Sequence, residues 1–183
     1  IETRAALLET YADLLIENRA ELIALMARET GKTLENGIDE VREAVDFFFY
    51  YAQQARTHLT PQQLPAVVGE HNELHYYARG IFVCISPWNF PLAIFTGQIV
   101  AALAAGNAVI AKPAEQATLT AQLAIRLMHA AGIPKTILHC VAGSGEHVGR
   151  HLCAHANIDG IVFTGGWETA RSIQQQLALR EGA

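Results

Sequence analysis

GIFVCISPWNFPLAIFTGQIVAALAAG, residues 80–106, contains two apolar runs joined by a short polar turn. The first run, Ile81–Ile85, is typical of a buried strand, and the second, Leu92–Ala105, is typical of a buried helix. The turn between them holds two prolines, which restrict its backbone. It also holds Asn89, a polar amide that neither a buried strand nor a buried helix requires. This asparagine therefore serves either as a cap for the helix that follows or as a functional amide.

The same alternation of strand and helix continues towards the carboxyl terminus. Further strands are predicted at Ala108–Ala111, Ile137–Val141 and Gly160–Thr164, and further helices at Ala117–Ala131, Glu146–Ala154 and Trp167–Leu179. Short apolar strands separated by helices are typical of a parallel sheet that is covered by helices on both faces. The pattern predicts an α/β fold with a Rossmann-like core over residues 80–183, in which ligands bind beyond the carboxyl ends of the strands.

Residues 1–60 are predicted to be helical, because apolar residues recur there at three- and four-residue steps. Asn18 is expected to cap a second helix that ends near Gly31, and a third helix is expected from about Ile38. Prolines then end the helical part. Residues 66–79 are predicted to form a hairpin or an extended arm that connects the helical part to the Rossmann-like core.

Composition and charge exclude several classes of function. The 183 residues are 51% hydrophobic and 17% charged, with a net charge of −5, which is typical of a globular domain. Basic residues are not clustered, so we expect no nucleic-acid partner, and no apolar run is long enough to span a bilayer. Three cysteines in apolar surroundings, without a secretory signal, favour reduced thiols in a cytoplasmic protein. Because the chain begins inside a helical pattern without a methionine, we expect a piece of a longer protein.

Polar or glycine-rich turns follow all four predicted strands. They are, in chain order, Ser86–Pro91, Lys112–Glu115, Gly143–Gly149 and Gly165-Gly166. Each has an ordinary explanation by itself, such as a helix cap, a surface ion pair or a common glycine turn. However, the carboxyl ends of parallel strands share one edge of a sheet, so the four turns are expected to lie together. A cation, a hydrogen-bond acceptor for ribose and helix amino termini that bind anions are the groups that suit a nucleotide. The four turns together therefore predict a nucleotide site.

These four turns, in this order, resemble those of the aldehyde dehydrogenase superfamily. The resemblance covers essentially the whole chain, from Glu29-Thr30-Gly31-Lys32 to Phe163-Thr164-Gly165. The Pro87–Pro91 and Lys112–Glu115 motifs are specific when they occur together. The resemblance implies NAD-dependent oxidation of an aldehyde to a carboxylate.

Three further stretches narrow the resemblance within the superfamily. Residues 84–99, Arg42–Phe47 and Lys112–Gln116 are similar to the pyrroline-5-carboxylate (glutamate semialdehyde) dehydrogenase module of bifunctional proline utilisation A proteins. This implies that residues 1–183 are a partial NAD-binding domain. The implied substrate is a small-molecule aldehyde, glutamate γ-semialdehyde, and the full-length protein is implied to be a homo-oligomer.

The resemblance also implies roles for individual residues. Asn89 would donate its side-chain amide to an oxyanion hole, and Phe90 would face the aldehyde side chain. The nicotinamide side of NAD would be lined by Ile85, Ser86, Pro87 and Trp88. The adenosine end would be held by Lys112, Glu115, Gly145 and Gly149. The pyrophosphate would be held by Phe163, Thr164, Gly165 and Gly166. Glu115 near the ribose would repel a 2′-phosphate, which favours NAD over NADP.

The sequence departs from the family pattern in two respects. Many members have a serine in place of Gly166 and a small residue in place of Trp167, so a hydroxyl for the pyrophosphate is lost here while backbone N–H groups remain. The family's nucleophilic cysteine and general-base glutamate motifs do not occur in the 183 residues. Cys84, Cys140 and Cys153 have no visible activating partner. We therefore expect the catalytic domain to lie outside this chain, and the chain alone to be inactive.

Other functions remain open from the residues alone. His147, His151 and His155 recur every four residues, and imidazoles that share a helix face can bind zinc or nickel. A solvated helix face is the more common reason for such spacing, so no metal ligand is assigned. A different aldehyde substrate, or a nucleotide-binding or assembly module without catalysis, are the remaining alternatives.

Overall fold

The computed structural model describes residues 1–180; residues 181–183, which the predicted core includes, lie outside the described residues. Three helices come first, α1 (Glu2–Glu17), α2 (Arg19–Thr30) and α3 (Leu34–His58). As predicted, α2 ends at Gly31, whose φ of 70° is the left-handed conformation that favours glycine at a helix end.

Two details of the helical part differ from the sequence prediction. The third helix begins earlier than Ile38, because the Thr33 hydroxyl accepts the backbone N–H of Asn36 and caps the helix there. Asn18 does not cap α2 with its side chain. Its amide instead donates to the Leu14 carbonyl at 2.8 Å and satisfies the end of α1.

A short antiparallel hairpin follows the helices, as expected from the sequence. Its strands, β1 (Gln62–Leu64) and β2 (Asn72–Leu74), pair with Gln62 opposite Leu74. The hairpin begins before residue 66, because Pro65 lies in its connection rather than ahead of it. Large apolar side chains are exposed in its connection, at Val67 and Val68, and after β2, at Tyr77.

The carboxyl-terminal part contains a four-stranded parallel sheet. Its strands are β3 (Ile81–Ile85), β4 (Ala108–Lys112), β5 (Leu138–Cys140) and β6 (Gly160–Phe163), in the order β5-β4-β3-β6. The chain therefore adds strands in one direction from β3 to β5 and then crosses back to place β6 on the other side of β3. Such a reversal marks the position where open α/β sheets bind ligands. The predicted α/β fold class is confirmed.

Helices cover the two faces of the sheet. They are α4 (Ala93–Ala104), α5 (Thr118–Ala130), α6 (Arg150–Ala154) and α7 (Trp167–Ala178). The side chains of β3 alternate between the faces: Cys84 belongs to a large core with α1 to α5, and Val83 and Ile85 belong to a smaller core with α6 and α7. No helix among residues 1–180 is long and apolar enough to cross a membrane.

The prediction of an α-helix over residues 146–154 was wrong for the first half of that range. Gly145–Gly149 form a π turn, and α6 begins only at Arg150. The N–H of Gly149 bonds to the Ser144 carbonyl at 3.2 Å, a five-residue step. Two glycines in this turn lower its helical propensity, and the Ser144 hydroxyl caps it by accepting the N–H of His147.

Candidate functional site

The carboxyl ends of the strands bring three of the four predicted turns into direct register. Ile85 lies beside Lys112 on one side and beside Phe163 on the other. Beyond this row, the N–H of Thr164 donates to the Ile85 carbonyl and the N–H of Ser86 donates to the Lys112 carbonyl. The turns that follow β3, β4 and β6 therefore start from one edge of the sheet.

A cleft of about 1010 Å³ opens at this edge, between the sheet and helices α6 and α7. The predicted cofactor residues that line it are Ile85, Lys112, Glu115, Gly145 and Gly149. Its other walls include residues that sequence reasoning missed, among them Ser144, Arg150, Cys153, Glu168, Thr169, Ser172 and Gln176. The recurrence of polar residues on α7 at four-residue steps, at 168, 172 and 176, was the signal that could have identified them.

Lys112 is buried at the wall of this cleft, with 4% of its surface exposed. Its ammonium donates to the Pro113 carbonyl at 3.0 Å. Burial lowers the pKa of Lys112 from its ordinary value, and the negative charge of Glu115 opposes that shift. A surface ion pair is therefore the wrong explanation for this motif, because the lysine is removed from solvent.

Glu115 connects two of the predicted turns. Its Oε1 accepts the backbone N–H of Gly145 at 3.0 Å, and the side chain is exposed beside the cleft. The turn after β4 is thereby tied to the glycine turn after β5. Apart from its chain neighbours, no described residue lies within 4 Å of an ideal Cβ position at Gly145, so its side of the cleft is open.

The Asn89 turn lies at the end of β3, outside the residues that line the cleft. Trp88 and Asn89 are exposed, and Phe90 is half-buried. The helix-cap explanation for Asn89 is wrong, because Glu40 accepts the N–H groups of Leu92 and Ala93 at 2.7 and 3.1 Å. The exposed Asn89 amide is thus not engaged at the start of α4.

The fourth turn leads from β6 into α7. Thr164 accepts a hydrogen bond from the Gln98 side chain at 2.9 Å, which links the turn to α4. Gly166 is the N-cap position of α7, and no side chain among residues 1–180 caps this helix. The first N–H groups of α7 therefore point out of its amino terminus without a side-chain acceptor, in an arrangement that suits an anion.

Two buried polar atoms lie close to the point where the strand order reverses. Among the described residues, neither the Ser86 hydroxyl nor the Gln98 carbonyl oxygen has a hydrogen-bond partner, although both are buried. Buried polar groups are normally satisfied by protein, water or ligand. Both residues lie beside the sheet edge but are not among those that line the cleft.

The three cysteines are free thiols with unfavourable surroundings for a nucleophile. Burial raises the pKa of Cys84 to about 12 and also raises the pKa values of Cys140 and Cys153, the last against the charge of Arg180. A thiol with a raised pKa carries little thiolate at neutral pH. Cys153 nevertheless lines the cleft.

No single cluster is formed by His147, His151 and His155. His147 lies in the π turn and contacts the Ser144 hydroxyl at 2.8 Å, whereas the rings of His151 and His155 are 6.0 Å apart. Within residues 1–180, no group of three or more His, Cys, Asp or Glu side chains is arranged to hold a metal ion. The π turn separates His147 from the helix that the metal hypothesis required.

Comparison with known proteins gives the family. The sequence profile described as "Aldehyde dehydrogenase family" matches residues 1–182. This chain belongs to the aldehyde dehydrogenase family. It is 49% identical over 179 residues to the bifunctional protein PutA of Salmonella typhimurium, a match that covers 98% of this chain and 13% of that protein. The resemblance read from the strand-end turns is confirmed.

Solved structures of the family share the fold. A mutant of proline utilization A (PutA) from Bradyrhizobium japonicum has a TM-score of 0.97 and 52% identity. The match covers 100% of this chain and 19% of the PutA chain. A 1-pyrroline-5-carboxylate dehydrogenase from Thermus with bound NAD has a TM-score of 0.92 and 40% identity. That match covers 96% of this chain and 34% of the Thermus chain. This chain thus spans about a third or less of the relatives that it matches.

Proposed function

We propose that this chain is the cofactor-binding part of a longer NAD-dependent aldehyde dehydrogenase that oxidises glutamate γ-semialdehyde to glutamate in proline catabolism. The observation that carries the proposal is the cleft at the carboxyl ends of the strands, where a buried lysine, an exposed carboxylate and a glycine turn meet. The similarity to PutA and to a 1-pyrroline-5-carboxylate dehydrogenase with bound NAD supports the assignment.

The residues of the cleft fit NAD. Its volume of about 1010 Å³ suits a large dinucleotide. Glu115 uses one carboxylate oxygen for Gly145, so the other remains able to accept a ribose hydroxyl. The N–H groups at the start of α7 suit the pyrophosphate. NAD, when bound, supplies the hydride acceptor.

Asn89 is proposed to act on the aldehyde rather than on the cofactor. Its amide is exposed, and the rigid turn between Pro87 and Pro91 fixes its position beyond β3. An amide N–H that points at the aldehyde oxygen stabilises the negative charge that develops there during nucleophilic attack. Phe90, the next residue, is half-buried and is proposed to contact the carbon chain of the substrate.

The attacking thiolate is proposed to come from a part of the protein outside this chain. The raised pKa values of Cys84, Cys140 and Cys153 disfavour all three as nucleophiles. We also propose a cytoplasmic homo-oligomer, in which the exposed apolar residues around β1 and β2 take part in assembly. The free thiols are typical of a reducing compartment.

The test uses the full reading frame that encodes this chain. Purified protein is assayed for NADH formation with glutamate γ-semialdehyde, and with an unrelated short aldehyde as the comparison substrate. We expect a higher kcat/KM for glutamate γ-semialdehyde, and a loss of activity after thiol alkylation. Activity confined to the other aldehyde would change the substrate assignment, and NAD binding without turnover would favour the module without catalysis.

A further inference from the structure

We propose that the segment Glu29-Thr30-Gly31-Lys32, between α2 and α3, is a positioning element for the candidate site. It fixes the starts of the two helices that follow the Asn89 turn and the Lys112–Glu115 turn. The proposal rests on the proposed function, because it concerns the geometry of those two turns. It gives a role to a sequence motif that lies outside the cleft.

The first arm of this element is Glu29, which caps α5. Its two carboxylate oxygens accept the N–H groups of Leu119 and Thr120, each at 2.7 Å, and the second oxygen also accepts the Thr120 hydroxyl at 2.7 Å. In the described part of the chain, the N-cap residue Ala117 provides no side-chain cap for α5. A carboxylate at this end also complements the positive end of the helix dipole. Glu29 therefore fixes the start of α5, which begins at Thr118 after a short 3₁₀ turn at Glu115–Ala117.

The second arm is Lys32, which acts through Glu40. Glu40 is 1% exposed, and its Oε1 accepts the N–H groups of Leu92 and Ala93 at the start of α4. Lys32 Nζ lies 2.5 Å from the other oxygen of Glu40. Removing one partner of a buried ion pair is strongly destabilising, because the other charge is left without compensation. Lys32 thus pairs with the carboxylate that holds the amino terminus of α4.

Lys32 also reaches the turn itself. Its ammonium lies 4.4 Å from the centre of the Phe90 ring, a distance at which a cation and an aromatic face attract each other. Phe90 is the neighbour of Asn89 in the chain. One side chain therefore contacts both the cap of α4 and the residue beside the proposed oxyanion amide. The nearby carboxyl of Glu43 has a raised pKa, caused by burial and by the charge of Glu40.

Gly31 allows the two arms to diverge. Its φ of 70° turns the chain at the end of α2, and no atom of residues 1–180, its chain neighbours aside, lies within 4 Å of an ideal Cβ at this position. The glycine is therefore required by the backbone conformation and not by a lack of space. The turn lets Glu29 face α5 while Lys32, after the turn, faces α3 and α4. Both the Asn89 turn and the Lys112–Glu115 turn are consequently held by a strand at one end and by a carboxylate-capped helix at the other.

The two arms predict different kinetic defects in the full-length protein. Lys32→Met is expected to lower kcat about 10- to 100-fold, because a shift of about 1 Å in a positioned group has an effect of this order. Its KM for NAD should stay close to that of the wild type. Glu29→Gln is expected to weaken NAD binding several-fold with a smaller effect on kcat. Lys32→Arg, which keeps the charge, should recover most of the lost rate.

Hydrogen exchange provides a readout that does not depend on activity. In Lys32→Met, the amides of Leu92 and Ala93 should lose protection while those of Leu119 and Thr120 keep it. Glu29→Gln should give the opposite pattern. The matched control is Lys135→Met, which removes an exposed lysine from the opposite edge of the sheet and should change neither exchange nor kinetics.

The double variant Lys32→Met/Glu40→Gln covers the case in which Lys32→Met fails to fold, because it leaves no unpaired buried charge. It should fold and still show the low kcat, since a neutral amide holds the start of α4 less firmly. Wild-type kcat and unchanged local exchange in this variant would overturn the positioning role. So would a uniform loss of protection, which indicates a merely structural effect. A wild-type protein that oxidises no aldehyde contradicts the proposed function alone, because the exchange patterns test the positioning role independently.

Discussion

The carboxylate of Glu115 accepts the backbone N–H of Gly145 at 3.0 Å and so joins the turn after β4 to the glycine turn after β5. A residue expected to meet the ribose thus also shapes the wall of the cleft. The two roles can be separated, because the glutamine side chain keeps a carbonyl oxygen for the Gly145 N–H but carries no charge.

Glu115→Gln is expected to reduce the preference for NAD over NADP on the order of tenfold, since about 1.4 kcal/mol of repulsion towards a 2′-phosphate is removed. The measurement is the ratio of kcat/KM for the two cofactors in the full-length protein. Glu115→Ala is the comparison, because it also breaks the bond to Gly145 and should weaken both cofactors. An unchanged ratio in Glu115→Gln would mean that the carboxylate does not face the 2′ position.

Lys112 should make stability depend on pH in the alkaline range. Its pKa in the folded protein lies below 10.5, because burial disfavours the charged ammonium. Between the folded pKa and 10.5 the unfolded chain binds the proton more strongly, so the free energy of unfolding rises with pH in that window. Lys112→Met should therefore be at least as stable as the wild type at neutral pH, with an advantage that shrinks towards pH 10.5. Thermal unfolding at several pH values checks this, and parallel pH curves would contradict it.

The same Lys112→Met variant should bind NAD more weakly, because a cation at the cleft wall is lost. Calorimetric titration with NAD measures the change. Lys135→Met, at an exposed position away from the cleft, is the matched control. Equal affinity in wild type and Lys112→Met would remove this lysine from the cofactor site.

Asn89→Ala is expected to lower kcat about 10²- to 10³-fold, equivalent to about 3–4 kcal/mol, because the proposed oxyanion donor is removed. Its melting temperature should stay near the wild-type value, since Glu40 and not Asn89 holds the start of α4. Steady-state kinetics and thermal unfolding on the same preparation distinguish the two effects. Lost stability with normal turnover would return Asn89 to a structural role.

The sequence was informative where local chemistry decides the structure. Three predicted elements depend on signals that act within a few residues, and all three were predicted correctly. They are the strand from the continuous apolar run Ile81–Ile85, the turn from its two prolines, and the end of α2 from Gly31. The caps from Glu29 and Glu40 join residues more than fifty positions apart, and no local pattern encodes them. The π turn at Gly145 escaped prediction because its spacing is too close to that of an α-helix.

Cys153 provides a test of whether a cleft-lining thiol takes part in the reaction. It is buried, and its pKa is raised by burial despite the nearby charge of Arg180. Cys153→Ala should retain kcat within about twofold, because a protonated thiol is a poor nucleophile. A loss of turnover on the scale of a missing nucleophile would show that the attacking sulfur lies within this chain.

Gly166 occupies the N-cap position of α7, next to the exposed Trp167. It adopts φ −70° and ψ 151°, an extended conformation open to any residue, and no atom of the described residues beyond its chain neighbours lies within 4 Å of an ideal Cβ. Gly166→Ser should therefore fold normally and stabilise the protein by a few tenths of a kcal/mol, since serine is a good N-cap and α7 lacks a side-chain cap. If the pyrophosphate lies at this helix start, the added hydroxyl should also tighten NAD binding, as measured by calorimetry. Gly166→Ala is the control, because it fills the same space without a hydroxyl. Equal affinities for the serine and alanine variants would place the pyrophosphate away from the start of α7.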